Sequence, residues 1–251
     1  MTKNNLYSQL SDNFEKLGLM QMKLHLDEIA DDITSNKTSI TEGLLKLSNY
    51  EIDFKSQSAA SSLVKAAAFP FIKELKDFDF DFQPSINQQK MMELENLHFL
   101  EKSENVIFLG TSGVGKTHLA TSIGIAAAKQ RYSTYFIKCN DLFMQLKKAK
   151  LENRLDAKLR NYAKYKLLII DEIGYLPISQ EDSNLFFQLI DMRYENKSTI
   201  FTTNISFDQW DKIFYDVVVA NAILDRILHH SHVITITGNS YRLKDCVALA
   251  E

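Results

Sequence analysis

Apolar positions recur along the start of the chain at spacings of three and four: Leu6, Leu10, Phe14, Leu17, Met20 and Leu24. That spacing draws one stripe along an amphipathic helix, expected to pack as plain helix–helix core. Ser39-Ile40-Thr41-Glu42 has the form of a capping box and predicts a second helix carrying Ile40, Leu44 and Leu47. An alanine-rich third helix is expected over residues 59–69. It should stop near Pro70, which has no N–H to donate and restricts the residue before it.

Beyond residue 100 the pattern changes. Apolar, β-type runs at residues 105–109, 133–138, 166–170, 199–203 and 232–237 alternate with segments of helical composition. Alternation of this kind predicts an α/β fold with a five-stranded, doubly wound parallel sheet. Between the two patterns lies FPFIKELKDFDFDFQP, residues 69–84, a connector whose alternating Phe78, Phe80 and Phe82 suit either an added edge strand or an aromatic wall for a base. The boundary is placed there, giving a small all-helical N-terminal domain, residues 1–70, and an α/β domain, residues 71–251.

The first strand runs straight into Gly110-Thr111-Ser112-Gly113-Val114-Gly115-Lys116-Thr117-His118. This is G-x-x-x-x-G-K-T between a strand and a helix, the context in which the pattern is specific for a phosphate-binding loop. The glycines let backbone N–H groups converge on a β-phosphate, Lys116 reaches the β and γ oxygens, and the Thr117 hydroxyl takes a Mg2+ position. The helix N-terminus adds partial positive charge.

The third run ends in Leu167-Leu168-Ile169-Ile170-Asp171-Glu172, which delivers two adjacent carboxylates to the end of a strand. Asp171 suits Mg2+ and Glu172 suits the attacking water. Other nucleotide classes fit less well. The only later Asn-Lys pair, Asn196-Lys197-Ser198-Thr199, lacks the aspartate of a guanine-specific N-K-x-D, and no L-S-G-G-Q-like transporter signature is present. An ATP hydrolase remains. Asn204, at the end of Thr199-Ile200-Phe201-Thr202-Thr203-Asn204, is placed to contact the γ-phosphate or its water, though a strand end with a turn former has the same composition. Arg226, in an otherwise apolar helical segment, suits either a structural pair with Asp225 or an arginine finger acting on a neighbouring subunit's ATP.

Charge is segregated along the chain. Net charge is -3 overall, but residues 141–166 carry eight basic residues against three acidic ones. That excludes a protein coated in positive potential and leaves room for a local basic face, which on its own is equally a solvated helix surface. Cys139 and Cys246 have no metal or redox spacing, which fits a reducing cytoplasm, and no apolar run approaches membrane-spanning length. His229, His230 and His232 lack a Cys or a suitably spaced carboxylate and are taken as non-ligands.

Together GTSGVGKTHLA, LLIIDEIG, TIFTTN, AILDRILHHSHVITITGNSYRLK and FDFDFQPSIN resemble the IstB-type transposition helper ATPases of bacterial insertion sequences. These are AAA+ P-loop proteins of the initiator clade, related to the helicase loader DnaC and to DnaA. The resemblance implies ATP and Mg2+ as cofactors, ATP hydrolysis, ATP-dependent homo-oligomer formation on duplex DNA, and delivery of that DNA to a DDE-type transposase. A DnaC-like replicative helicase loader is the alternative. It also implies sensor-1 and arginine-finger roles for Asn204 and Arg226, a sensor-2 role for Arg242, adenine support from Phe78 and Phe80, and DNA contact by Lys147, Lys148, Lys150, Arg154 and Lys158. The N-terminal domain would serve DNA or partner binding, or assembly.

Overall fold

The computed structural model describes residues 3–35 and 37–244, and the chain divides into two compact units, Met1–Ser62 and Leu63–Glu251. In the first unit the expected single N-terminal helix is broken into α1 (Lys3–Lys16), α2 (Met20–Leu24) and α3 (Leu26–Thr34). Gly18 lies between the first two with φ +67°, a left-handed conformation that ends a helix. The break throws the apolar stripe out of register. Phe14 is buried with Leu26, Ile29 and Leu47, whereas Leu6, Leu10, Leu17, Met20 and Leu24 are exposed, correcting the expectation of a continuous core stripe.

The capping box forms as the sequence suggests. Glu42 N–H donates to Ser39 Oγ at 3.2 Å and Ser39 N–H to Glu42 Oε2 at 2.8 Å. The helix it opens is longer than expected: α4 (Ile40–Ala66) runs through both the second and the alanine-rich segment, so the two anticipated helices are one. No Gly or Pro interrupts residues 44–66, so nothing in the chain stops propagation. The end comes at Ala66, with Ala68 at φ +59°, ahead of Pro70.

In the second unit α5 (Gln88–Glu95) and α6 (His98–Glu101) precede β1 (Asn105–Gly110) and α7 (Lys116–Lys129). There follow β2 (Thr134–Lys138), α8 (Cys139–Leu151), α9 (Leu155–Ala163), β3 (Leu167–Ile173), α10 (Gln180–Arg193) and β4 (Ser198–Thr203). The described chain closes with α11 (Trp210–Ile213), α12 (Val217–Leu228) and β5 (Ser231–Ile236). The strands form one sheet of order β2-β3-β4-β1-β5, every pairing parallel. Residues 74–82 form no strand, so the connector's edge-strand reading falls away.

Both faces of the sheet are covered, which is why β1 and β3 carry the apolar runs at residues 106–109 and 167–170 and β4 is buried along its whole length. Val106, Phe108, Leu167 and Ile169 pack with Leu119, Ile123 and Ala127 of α7 on one face. Ile107, Leu168, Ile170 and Phe201 pack with Leu142, Leu189 and Ile223 of α8, α10 and α12 on the other. Arg193, 2 % exposed, ties this second layer together. Its guanidinium donates to Thr199 Oγ1 at 2.9 Å and to the carbonyls of Tyr162, Ala163 and Tyr165 at 3.0, 3.2 and 2.9 Å, joining the end of α9 to the start of β4. Among the described residues no helix is long and apolar enough to cross a membrane.

Candidate nucleotide and DNA sites

The order of the sheet puts the ends of β1, β3 and β4 side by side, and the loops leaving them enclose a cleft of about 330 Å³. That volume is in the range of small-molecule sites, roughly 300–1,000 Å³. The phosphate loop wraps around its floor. Gly113 and Gly115 have φ +84° and +103°, and a Cβ on Gly115 would stand 2.6 Å from the Phe78 ring, one on Gly113 2.0 Å from Ser240 Oγ. Glycine is needed there both for the backbone turn and for the close approach of the walls.

Lys116, Asp171 and Glu172 each already have a partner within the chain. Lys116 Nζ donates to the carbonyls of Gly110 and Thr111, both at 2.7 Å. Burial holds its pKa below the ordinary lysine value, against the pull of Asp171. Thr117 Oγ1 lies 3.0 and 3.2 Å from the two Asp171 carboxylate oxygens, and Thr202 Oγ1 donates to Asp171 Oδ1 at 2.5 Å. Burial pushes the Asp171 carboxyl up, and the hydroxyls of Thr202 and Thr117 oppose it. A hydroxyl and a carboxylate this close form an all-oxygen set that suits a hard divalent cation such as Mg2+.

Glu172 sits where the β3–β4 pairing shifts register between Ile170 and Ile173, at φ +64°. A bulge in that position re-aims a side chain, and a non-glycine residue in the left-handed region is a local strain typical of functional sites. Its backbone N–H donates to Thr202 Oγ1 at 2.9 Å, and its carboxylate pairs with Lys138 Nζ at 3.0 Å. The same pairing holds the Lys138 pKa up. Asn204, Arg242 and His118 also line the cleft. Burial lowers the pKa of His118, whose ring sits 3.2 Å from the Glu74 carbonyl and edge-on to Phe78.

Other expected site residues stand apart. Phe78 lines the cleft, but Phe80 does not: it packs edge-on behind Phe78, ring centroids 4.9 Å apart, within the core layer. Arg226 lies outside the cleft on α12, where Asp216 caps the helix by accepting from Val218 N–H at 2.7 Å. Its partner is not Asp225. The guanidinium donates to Asp191 Oδ1 at 2.8 Å and stacks over Phe187 at 4.7 Å, replacing the Asp225 pairing considered from local sequence.

The basic segment splits into two faces. Lys147 and Lys150 pair with Asp182 at 3.0 Å and Glu181 at 2.6 Å, at the start of α10. Lys148, Arg154 and Lys158 instead line an open groove of about 500 Å³ between α8 and α9, with Gln145 and Asn161. Arg154 pairs with Glu152 and Lys158 stands 4.9 Å over the Tyr162 ring.

The family profile of IstB-like ATP binding proteins matches residues 12–248. The chain belongs to that family. It is 61% identical over 241 residues to the ATP-binding protein of insertion sequence IS232 from Bacillus thuringiensis subsp. berliner, covering 96% of each chain. To the ATP-binding protein of insertion sequence IS21 from Pseudomonas aeruginosa it is 41% identical over 230 residues, covering 92% of this chain and 87% of the other. Among solved structures, the DnaC helicase loader is similar at a TM-score of 0.53 and 25% identity, over 60% of this chain and 88% of that one. AMPPCP-bound DnaA from Aquifex aeolicus shares the fold at a TM-score of 0.55 and 22% identity, over 70% of this chain and 54% of that one. The α/β unit is therefore an AAA+ P-loop fold that binds ATP.

Within this IstB-like ATP-binding chain, sequence reasoning missed several residues at the cleft. Thr202 bridges Asp171 and the Glu172 backbone, and its signal was the hydroxyl pair Thr202-Thr203 closing a run that begins Ile200-Phe201. Lys138 ends β2 directly opposite Asp171 in the parallel register, a placement visible only once β2 is known to flank β3. Tyr175, Gln83 and Tyr241 complete the wall, and Tyr241 N–H donates to the Gly113 carbonyl at 2.9 Å, tying the segment that carries Arg242 to the phosphate loop.

Proposed function

We propose that this chain is the ATP-dependent DNA-handling component of an insertion sequence. It binds ATP with Mg2+, assembles with further copies on duplex DNA, presents that DNA to a DDE-type transposase, and ends each cycle by hydrolysis. The observation that carries the reading is the convergence of Lys116, Thr117, Asp171, Glu172 and Asn204 on one cleft or its floor, with Arg226 outside it. Lys116 and the loop amides take the phosphates, Thr117 and Asp171 hold Mg2+, and Glu172 and Asn204 orient the attacking water. An arginine remote from its own cleft supports action on the nucleotide of a neighbouring subunit, so that chemistry waits for assembly.

Similarity at 61% identity to an insertion-sequence protein favours a transposase partner over a helicase, although the likeness to DnaC keeps a loader as the competing reading. DNA contact is drawn from the basic residues between β2 and β3, through phosphates rather than bases, because no aromatic ladder interleaves them. The exposed Leu6, Leu10, Leu17 and Leu24 suit the N-terminal unit to assembly or partner contact. The deciding experiment measures binding to duplex and single-stranded oligonucleotides of increasing length, with ATP, with ADP and without nucleotide. Cooperative, ATP-requiring binding to duplex is expected. Preference for single strands, with a replication gene as the adjacent reading frame, would favour the loader.

A further inference from the structure

Among the described residues one group of three side chains has the chemistry of a transition-metal site: Glu195, His229 and His230. From sequence the two histidines lacked a carboxylate, but the fold supplies one from the turn after α10. One donor atom from each residue lies within 4.8 Å of the others. Tetrahedral zinc with bonds near 2.0–2.1 Å needs donors about 3.4 Å apart, a gap that rotamer changes of exposed side chains close.

Both arms of the group are held by backbone. His230 carbonyl accepts from Asn105 N–H at 2.8 Å, fixing it at the entry to β1, and His229 N–H donates to Asp225 O at 3.1 Å at the end of α12. Glu195 occupies a left-handed position, φ +57°, in a turn closed by Asn196 and Lys197 N–H groups on the Arg193 carbonyl, each at 3.0 Å. A third feature is the Tyr194 hydroxyl, 2.6 Å from His229 Nδ1. The same Nδ1 stands 3.8 Å from Glu195 Oε1, so the Tyr194 hydroxyl holds the imidazole facing the carboxylate, in the place a metal would take.

We propose that Glu195, His229 and His230 bind a divalent transition ion of the zinc class, with water as the fourth donor, clipping the end of α10 to the end of α12. Two imidazoles and one carboxylate suit Zn2+ and its neighbours rather than Mg2+ or Ca2+, which take oxygen donors. The site is separate from the nucleotide cleft. It lies beside Arg226, whose guanidinium stands 5.9 Å over the same Tyr194 ring that holds His229. Occupancy therefore orders the surroundings of Arg226 whatever that residue does.

The test uses the full-length, tag-free, chelator-treated protein in a Cys246→Ser background. Zn2+ affinity is measured by competition with a chromophoric chelator, and ligand type by the visible spectrum of the Co2+ form. One ion per chain and an imidazole–carboxylate Co2+ spectrum are expected. His229→Ala, His230→Ala and Glu195→Gln should each weaken binding about tenfold or more. His25→Ala and His232→Ala, at two other histidine–carboxylate pairs, should not. Thermal melts without metal confirm that the variants are folded. Absence of stoichiometric Zn2+ binding, or equal affinity in the wild type and His230→Ala, overturns the site.

Discussion

The nucleotide cleft and the α8–α9 basic face are both built from charged side chains, but they differ in what holds those charges. In the cleft Asp171 is 1 % exposed and fixed by two hydroxyls, and Lys116 is drawn onto its own loop carbonyls. On the α8–α9 face Lys148 and Arg154 are exposed and Lys158 half-buried, and the Arg154–Glu152 ion pair is of the kind worth only about 0–1 kcal/mol. The cleft is thus geometrically set before ligand arrives, while the basic face can exchange its partners for phosphates at little cost. Chemistry should depend on single residues in the first region and on summed charge in the second.

The comparison breaks most decisively at catalysis. Arg226→Ala should reduce ATP hydrolysis about 10³-fold or more, the range for a lost arginine finger. Glu172→Gln should reduce it by roughly 10²–10⁴ while leaving ATP binding intact. Mixing the two variants should restore part of the activity, because a mixed interface can pair an intact Glu172 with an intact Arg226. Phosphate release by each variant and by the mixture checks this. If Arg226→Ala instead melts at a much lower temperature, its stacking on Phe187 and pairing with Asp191 are its main role.

Next comes nucleotide affinity. Lys116→Ala removes charge-assisted bonds to phosphate worth about 1.5–3 kcal/mol each, which corresponds to a loss of at least about 100-fold for two of them. Calorimetric titration with a non-hydrolysable ATP analogue measures it. Retained affinity would mean that the ammonium stays on Gly110 and Thr111 when nucleotide binds.

DNA binding sharpens the comparison at a smaller scale. Lys148→Gln, Arg154→Gln and Lys158→Gln together should cost on the order of tenfold and lower the slope of log affinity against log salt by about 0.9 for each phosphate left without its cation. Lys147→Gln with Lys150→Gln should cost less, since those ammonium groups already face Asp182 and Glu181. Fluorescence anisotropy over a salt series separates the sets. A larger effect from the second set would move the DNA surface to the start of α10.

The signals that were legible in sequence are local ones. Gly110 to Thr117 and the Ile170-Asp171-Glu172 strand end declare their chemistry within a few residues, and the five apolar runs announce a sheet. Strand order is a long-range property. Thr202, Lys138 and Asp191 matter because β4 and β2 flank β3 and α10 lies against α12, and no periodicity encodes those neighbours. The N-terminal stripe failed for the opposite reason: one glycine conformation at Gly18 outweighed a regular spacing.

The smallest effect is expected at Lys138. Its ammonium pairs with the Glu172 carboxylate at 3.0 Å and competes with a water for it, yet the two side chains are 49% and 38% exposed. A pair so open to solvent contributes about 1 kcal/mol at most, which limits the change on its removal to roughly fivefold. Lys138→Met should therefore raise the DNA-free rate of ATP hydrolysis by up to about fivefold, and leave the rate of the DNA-bound assembly nearly unchanged if assembly already releases Glu172. Steady-state phosphate release with and without duplex, alongside nucleotide titration to confirm equal binding, reads both quantities. A fall in the DNA-free rate would show that Lys138 positions Glu172 for the reaction rather than restraining it.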